Sequence, residues 1–121
     1  MLTRQMRELE RQHEVVTYTI KASTEAFVFN LQEELNQSYD KRFGIAAPVL
    51  TVQFGNKFAK IMAGTYVWGF VAQVPGSLGG IPYIVGDLLK PANWRAPAKH
   101  SRGNILDGTA SYSMYGPNYL K

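Results

Sequence analysis

Lys90, Arg95, Lys99 and Arg102 lie in one stretch, KPANWRAPAKHSRGN (90–104), together with Trp94 and His100 and without any Asp or Glu. Fixed cations interleaved with an aromatic are what sequence-tolerant nucleic-acid binding requires. The cations neutralise phosphates and fix register, while a flat ring stacks on bases. The geometry follows from the two prolines. Pro91 and Pro97 each open a short helical turn, because proline lacks the N–H that a first turn leaves unpaired. Lys90, preceding Pro91, is pushed to extended angles. On the second turn Lys99 and Arg102 are three apart and share a face, and Gly103 ends it. Trp94 and Arg95 fall at the bend between the turns. Trp94 has two uses, stacking on a base or packing inward, and the expectation is that it pins the bend to the core. Asn93 and Asn104 are expected to cap turns. The candidate nucleic-acid-binding residues are therefore Lys90, Trp94, Arg95, Lys99, His100 and Arg102, with Lys57 or Lys60 extending the patch.

Other chemistries lack their residues. The chain has no cysteine, so thiol nucleophiles, thiolate metal sites and disulfides are excluded. Two histidines, His13 and His100, are too few for a histidine-rich metal site. GSLGG (76–80) is glycine-rich but lacks the lysine and the receiving helix of a phosphate-cradling loop. No serine nucleophile elbow is present. Glu33 and Glu34 are adjacent on a predicted helix and diverge by about 100°, which separates them as an acid–base pair. Asp87 or Asp107 with His100 is the one combination left for hydrolysis, and nothing in the spacing selects it. The expectation is a non-enzymatic protein with no catalytic residue, metal or cofactor.

The chain that must hold these residues, 121 in length, suits one domain with a single core. The net charge of +4 is unevenly distributed. Residues 1–56 carry six Lys/Arg against seven Asp/Glu, and residues 57–121 carry seven against two. This asymmetry favours an anionic partner for the second half. The charged N-terminus lacks the apolar core of a signal peptide, and no apolar run reaches membrane-span length. A cytoplasmic setting without membrane contact is expected.

The fold expected is α+β: a long amphipathic helix on an antiparallel meander, with an N-terminal helix and a basic C-terminal loop region. Leu2, Met6, Leu9 and His13 recur at helical spacing over 3–14. Val16, Tyr18 and Ile20 alternate as in a strand. Residues 1–22 are thus a helical and extended segment suited to oligomer or partner contact, and 23–121 a single domain. Ser23 is read as the N-cap of a helix over 24–43, in which Phe27, Leu31, Leu35 and Tyr39 form the buried stripe and Gly44 the C-terminal stop. Strands follow at 49–54, 57–63 and 65–72, the first turn made by Gly55-Asn56. Tyr66, Trp68 and Phe70 share one face of the third strand, and Lys57 and Lys60 lie on opposite faces of the second. QVPGSLGGIP (73–82) is read as a mobile loop, YIV (83–85) as a short strand, and the segment around Tyr112 as an edge strand.

GDLLKPANWRAPAKHSRGNILDG (86–108) followed by YGPNYLK (115–121) resembles the C-terminal half of small uncharacterised proteins of tailed bacteriophages, over roughly 57–121. The resemblance implies a phage accessory protein working in the cytoplasm of a host cell. It carries no residue roles. Proteins of this kind bind nucleic acid or block a host enzyme or defence protein, so the expected partners are nucleic acid, a host or phage protein, or a second copy of the chain. In the protein-binding alternative, an inhibitor or accessory subunit, the contact surface would be Tyr112, Tyr115, Tyr119 and the N-terminal helix.

Overall fold

The computed structural model describes residues 4–119, with side chains from Thr19 onward. Its first element is a single helix, α1 (Arg4–Phe43), about 60 Å long at 1.5 Å per residue. The expected strand around Val16–Ile20 and the cap at Ser23 are both overturned, since the helix runs unbroken through them and through the 22/23 boundary. The reason is visible from Thr19 on. Ile20 and Thr24 are both fully buried and continue the row of Val28, Leu31 and Leu35 by about two more turns. The Thr24 hydroxyl donates to the Ile20 carbonyl at 2.7 Å, so its polar atom is satisfied inside the helix. β-branched residues lose only a few tenths of a kcal/mol in a helix, which burial easily outweighs. The stripe of Leu2, Met6, Leu9 and His13, the side chains of Val16 and Tyr18, and the partner-contact role of that segment lie outside the described residues. Gly44, at φ 64°, closes the helix by donating its N–H to the Asp40 carbonyl at 2.9 Å, the left-handed cap expected for it.

The chain then builds a five-stranded antiparallel sheet in the order β1-β2-β3-β6-β7. Its strands are β1 (Leu50–Phe54), β2 (Phe58–Ala63), β3 (Tyr66–Ala72), β6 (Asp87–Pro91) and β7 (Pro97–Asn104). The first three are the expected meander. Between β3 and β6, the segment read as a mobile loop forms a hairpin, β4 (Gly76–Leu78) with β5 (Ile81–Tyr83), turning at Gly79-Gly80. β8 (Tyr112–Ser113) and β9 (Gly116–Pro117) form a separate ribbon rather than an edge strand of the main sheet.

α1 covers one face. Val28, Leu31 and Leu35 meet Leu50, Ala59, Ile61, Ala63, Val71 and Leu88 in one core. A bulge in β3 decides where the aromatics go. Ile61 pairs with Gly69 but Met62 pairs with Val67, leaving Trp68 as the extra residue. Alternation is broken there. Trp68 turns to the helix side against Phe27 and Tyr112, at ring distances of 6.3 and 5.7 Å. Phe70 turns to the opposite face against Phe58. Trp68 and Phe70 therefore do not share a face, contrary to period-two counting. The β8–β9 ribbon lies on the helix side, and Gly69 admits it: a Cβ there would sit 2.9 Å from Pro117 Cγ.

On the other face Phe58, Phe70 and Tyr83 form a smaller cluster beneath the β4–β5 hairpin, with Phe58 and Tyr83 rings 5.1 Å apart. The start of β6 is fixed by a buried polar network. Asn104 Nδ2 donates to Asp87 Oδ1 and to the Val85 carbonyl, at 3.0 and 2.9 Å, and Asn104 Oδ1 accepts from Leu106 N–H. Replacing Asn104 by alanine strands several buried polar groups and should cost about 2 kcal/mol, read as a lowered urea midpoint at unchanged slope. A loss below ~0.5 kcal/mol, the range of an ordinary surface change, would show that the network does not secure this corner. Among the described residues no helix is long and apolar enough to cross a membrane.

Candidate nucleic-acid interface

The basic stretch is a β-hairpin, not two helical turns. Pro91 pairs with Pro97, Leu89 with Ser101 and Asp87 with Asn104. The prolines sit opposite each other at the last rung, where a missing N–H costs least. The turn is closed by Asn93, whose Oδ1 accepts from Arg95 and Ala96 N–H, both at 2.9 Å. The Ala96 carbonyl in turn accepts from Ala92 and Asn93 N–H. Asn93 thus caps a turn as expected, but a hairpin turn. The helical reading failed because the extended form is stabilised by pairing with residues six to seventeen positions away and by β3 alongside, which local propensity does not contain.

This change of backbone disperses the candidate residues. Lys90 lies on the helix side, where its Nζ donates to the Pro117 carbonyl at 3.0 Å and stands 4.0 Å from the Tyr119 ring centroid. Arg102 also turns there. Its Nε donates to the Asn118 carbonyl at 3.0 Å and its Nη1 to the His100 carbonyl, and burial lowers the pKa of its guanidinium. Both hold the C-terminal ribbon in place. Lys99 instead runs beside the β4–β5 hairpin, its Cδ 3.5 Å from where a Gly79 Cβ would stand. Lys99 and Arg102 therefore do not share a face. His100 is exposed on β7. Trp94 is 55% exposed and pins nothing into the core. That position belongs to Trp68, which is fully buried.

Arg95 and Trp94 converge elsewhere. Register shifts in the β6–β7 pair let its turn curl over the outer face of the sheet, onto β2. Lys60 Nζ stands 5.1 Å from the Trp94 ring centroid. Arg95, Lys57, Lys60, Gln53, Phe58 and Phe70 line an open groove of about 520 Å³. No carboxylate lines it among the described residues. Lys57, just before β2, and Lys60, within it, serve the same groove, which corrects their assignment to opposite faces. The described carboxylates lie on α1 or at Asp87 and Asp107, so the outer face has lysine and arginine without neutralising partners in its groove. The sequence offered Arg95 and, as an extension, Lys57 or Lys60, but local counting could not join them apart from the other cations, because Arg95 is some forty positions from Lys57. The excess of positive charge after residue 57 was its one signal in the sequence.

The remaining alternatives are also placed. Asp87 accepts from Ile84 N–H and Asn104, and Asp107 accepts from Thr109. Those bonds hold the Asp107 carboxyl below the usual carboxylate range. Both acids build turns. Among the described residues no three His, Asp or Glu side chains gather as a metal site. Tyr112 is half-buried against Phe27 and Trp68 and donates to Glu34, so it is a packing residue. Burial, then Glu34, raises its pKa. Tyr115 and Tyr119 are exposed.

No curated protein and no solved structure matches the chain significantly. A family model does, over residues 2–116, described as a family of unknown function (DUF7717). With nearly the whole chain matched, the protein belongs to this family of unknown function.

Proposed function

We propose that this protein is a non-enzymatic nucleic-acid-binding protein whose contact surface is the outer-face groove. The observation that carries the reading is the convergence of Lys57, Lys60 and Arg95 around one open groove without a carboxylate. Three cations on a β-sheet face, one of them on a hydrogen-bonded turn, meet successive phosphates with little ordering cost. Lys90 and Arg102, committed to backbone carbonyls of the C-terminal ribbon, act in stability. The resemblance to small tailed-phage proteins suits an accessory role of this kind in an infected cell.

Binding of a labelled oligonucleotide at two salt concentrations tests the reading. Three phosphate contacts on a single strand give a log–log salt slope near −2, or roughly a twentyfold loss of affinity between 50 and 200 mM salt. No binding at low salt would refute it. A second reading, contact with a partner protein, is favoured by the exposed Phe29, Val49 and Phe54 on and beside β1, an edge strand of the sheet. A partner captured from bacterial lysate and retained after nuclease treatment would support that reading instead.

A further inference from the structure

Resting on the nucleic-acid reading, we propose that the groove selects single strands, with Trp94 as the platform on which an unpaired base stacks. A duplex shows phosphates outward and keeps its base faces stacked within. Cations alone would serve it, and an exposed tryptophan among them would find no base face to cover. The outer face is built otherwise. Trp94 stays exposed although its turn is tightly ordered, with Asn93 Oδ1 accepting two backbone N–H groups and the Ala96 carbonyl two more. An indole held in place outside the core offers its area to a ligand without first paying for its own ordering.

Lys60 stands over this ring at 5.1 Å and also lines the groove with Arg95 and Lys57. A cation above the ring fixes its orientation and places a phosphate partner within one nucleotide of the stacking surface. Phe58 adds aromatic surface on the same groove. Trp94 beside Lys60, and Lys60 in turn on the groove with Arg95 and Lys57, match a chain whose bases and phosphates are both accessible. Base stacking of this kind tolerates any sequence, because every base has a flat face.

The chain itself supplies the probe. It has two tryptophans, and Trp68 is fully buried, so quenching of emission by a ligand reports on Trp94. The full-length protein is titrated with an oligothymidylate of about ten nucleotides, within the range of small single-strand sites, and with a duplex of equal length. The expected result is tighter binding of the single strand with quenched emission. Trp94→Leu should lose roughly 5- to 150-fold in single-strand affinity while keeping its salt slope and its duplex affinity, and Trp94→Phe should recover part of the loss. Equal affinity for both forms without quenching overturns the stacking proposal and leaves the nucleic-acid reading standing. Failure of both forms to bind at low salt overturns the two together, in favour of a protein partner.

Discussion

Replacing Lys57, Lys60 and Arg95 together by alanine is expected to abolish most nucleic-acid affinity at low salt and to flatten its salt dependence. Each phosphate neutralised on a single strand contributes about 0.7 to the log–log slope, so losing three should remove about two units of slope. Alanine at these positions costs the fold little. Lys57 precedes β2, Arg95 is exposed on a turn, and Lys60 packs its stem on the outer face without a carboxylate partner in the groove. Lys90→Ala and Arg102→Ala are the matched controls, because each removes one charge from the same sequence stretch. Their donors are committed to the Pro117 and Asn118 carbonyls, so they should lower stability while leaving most of the slope intact. If either single variant flattened the slope as far as the triple, the interface would lie on the helix side with the C-terminal ribbon. The comparison separates charge that is merely nearby in sequence from charge that is convergent in space.

The two tryptophans should respond to mutation very differently, and Trp94 not as the core anchor its proline-rich surroundings suggest. Trp68→Ala should destabilise by about 3–5 kcal/mol, the range for emptying a large aromatic site. Trp68 is fully buried, and it touches Phe27 and Tyr112, which join α1 and the β8–β9 ribbon to the sheet. A domain of this size has about 5–15 kcal/mol in total, so the alanine variant would be at the margin. Trp68→Phe is the milder probe. It keeps most of the ring and removes an indole Nε1 that is buried without an acceptor, so its cost should fall well below that of alanine. Trp94→Ala should stay within about 0.5 kcal/mol, as for other exposed positions. Urea unfolding of the three variants checks this directly. A large loss for Trp94→Ala would mean that the β6–β7 turn is anchored through its indole after all.

Much of the architecture was legible locally. The row of Leu31 and Leu35, the stop at Gly44 and the first three strands depend on neighbours within a few residues, and all appear as expected, while the first turn falls at Gly55-Asn56 but is longer than two residues, since Phe54 pairs with Ala59. The errors have one cause. Val16–Ile20 alternates as a strand would, yet helix geometry extends through it because burial of Ile20 and Thr24 on the sheet outweighs a weak propensity. Residues 90–104 suit short turns taken alone, yet become a hairpin because Asp87 and Leu89 find Asn104 and Ser101. Trp68 and Phe70 are two apart, yet one bulge sends them to opposite faces.

The sequence by itself determined an α+β layering, a net-positive second half and the residue types available for binding, since periodicity, turn chemistry and composition are properties of neighbours. Only the tertiary structure decided which cations act together. Arg95 joins Lys57 and Lys60 because a bulged hairpin curls back over the sheet, and Lys90 and Arg102 leave the set because the C-terminal ribbon offers them carbonyls. Those pairings are long-range, and no spacing within KPANWRAPAKHSRGN encodes them.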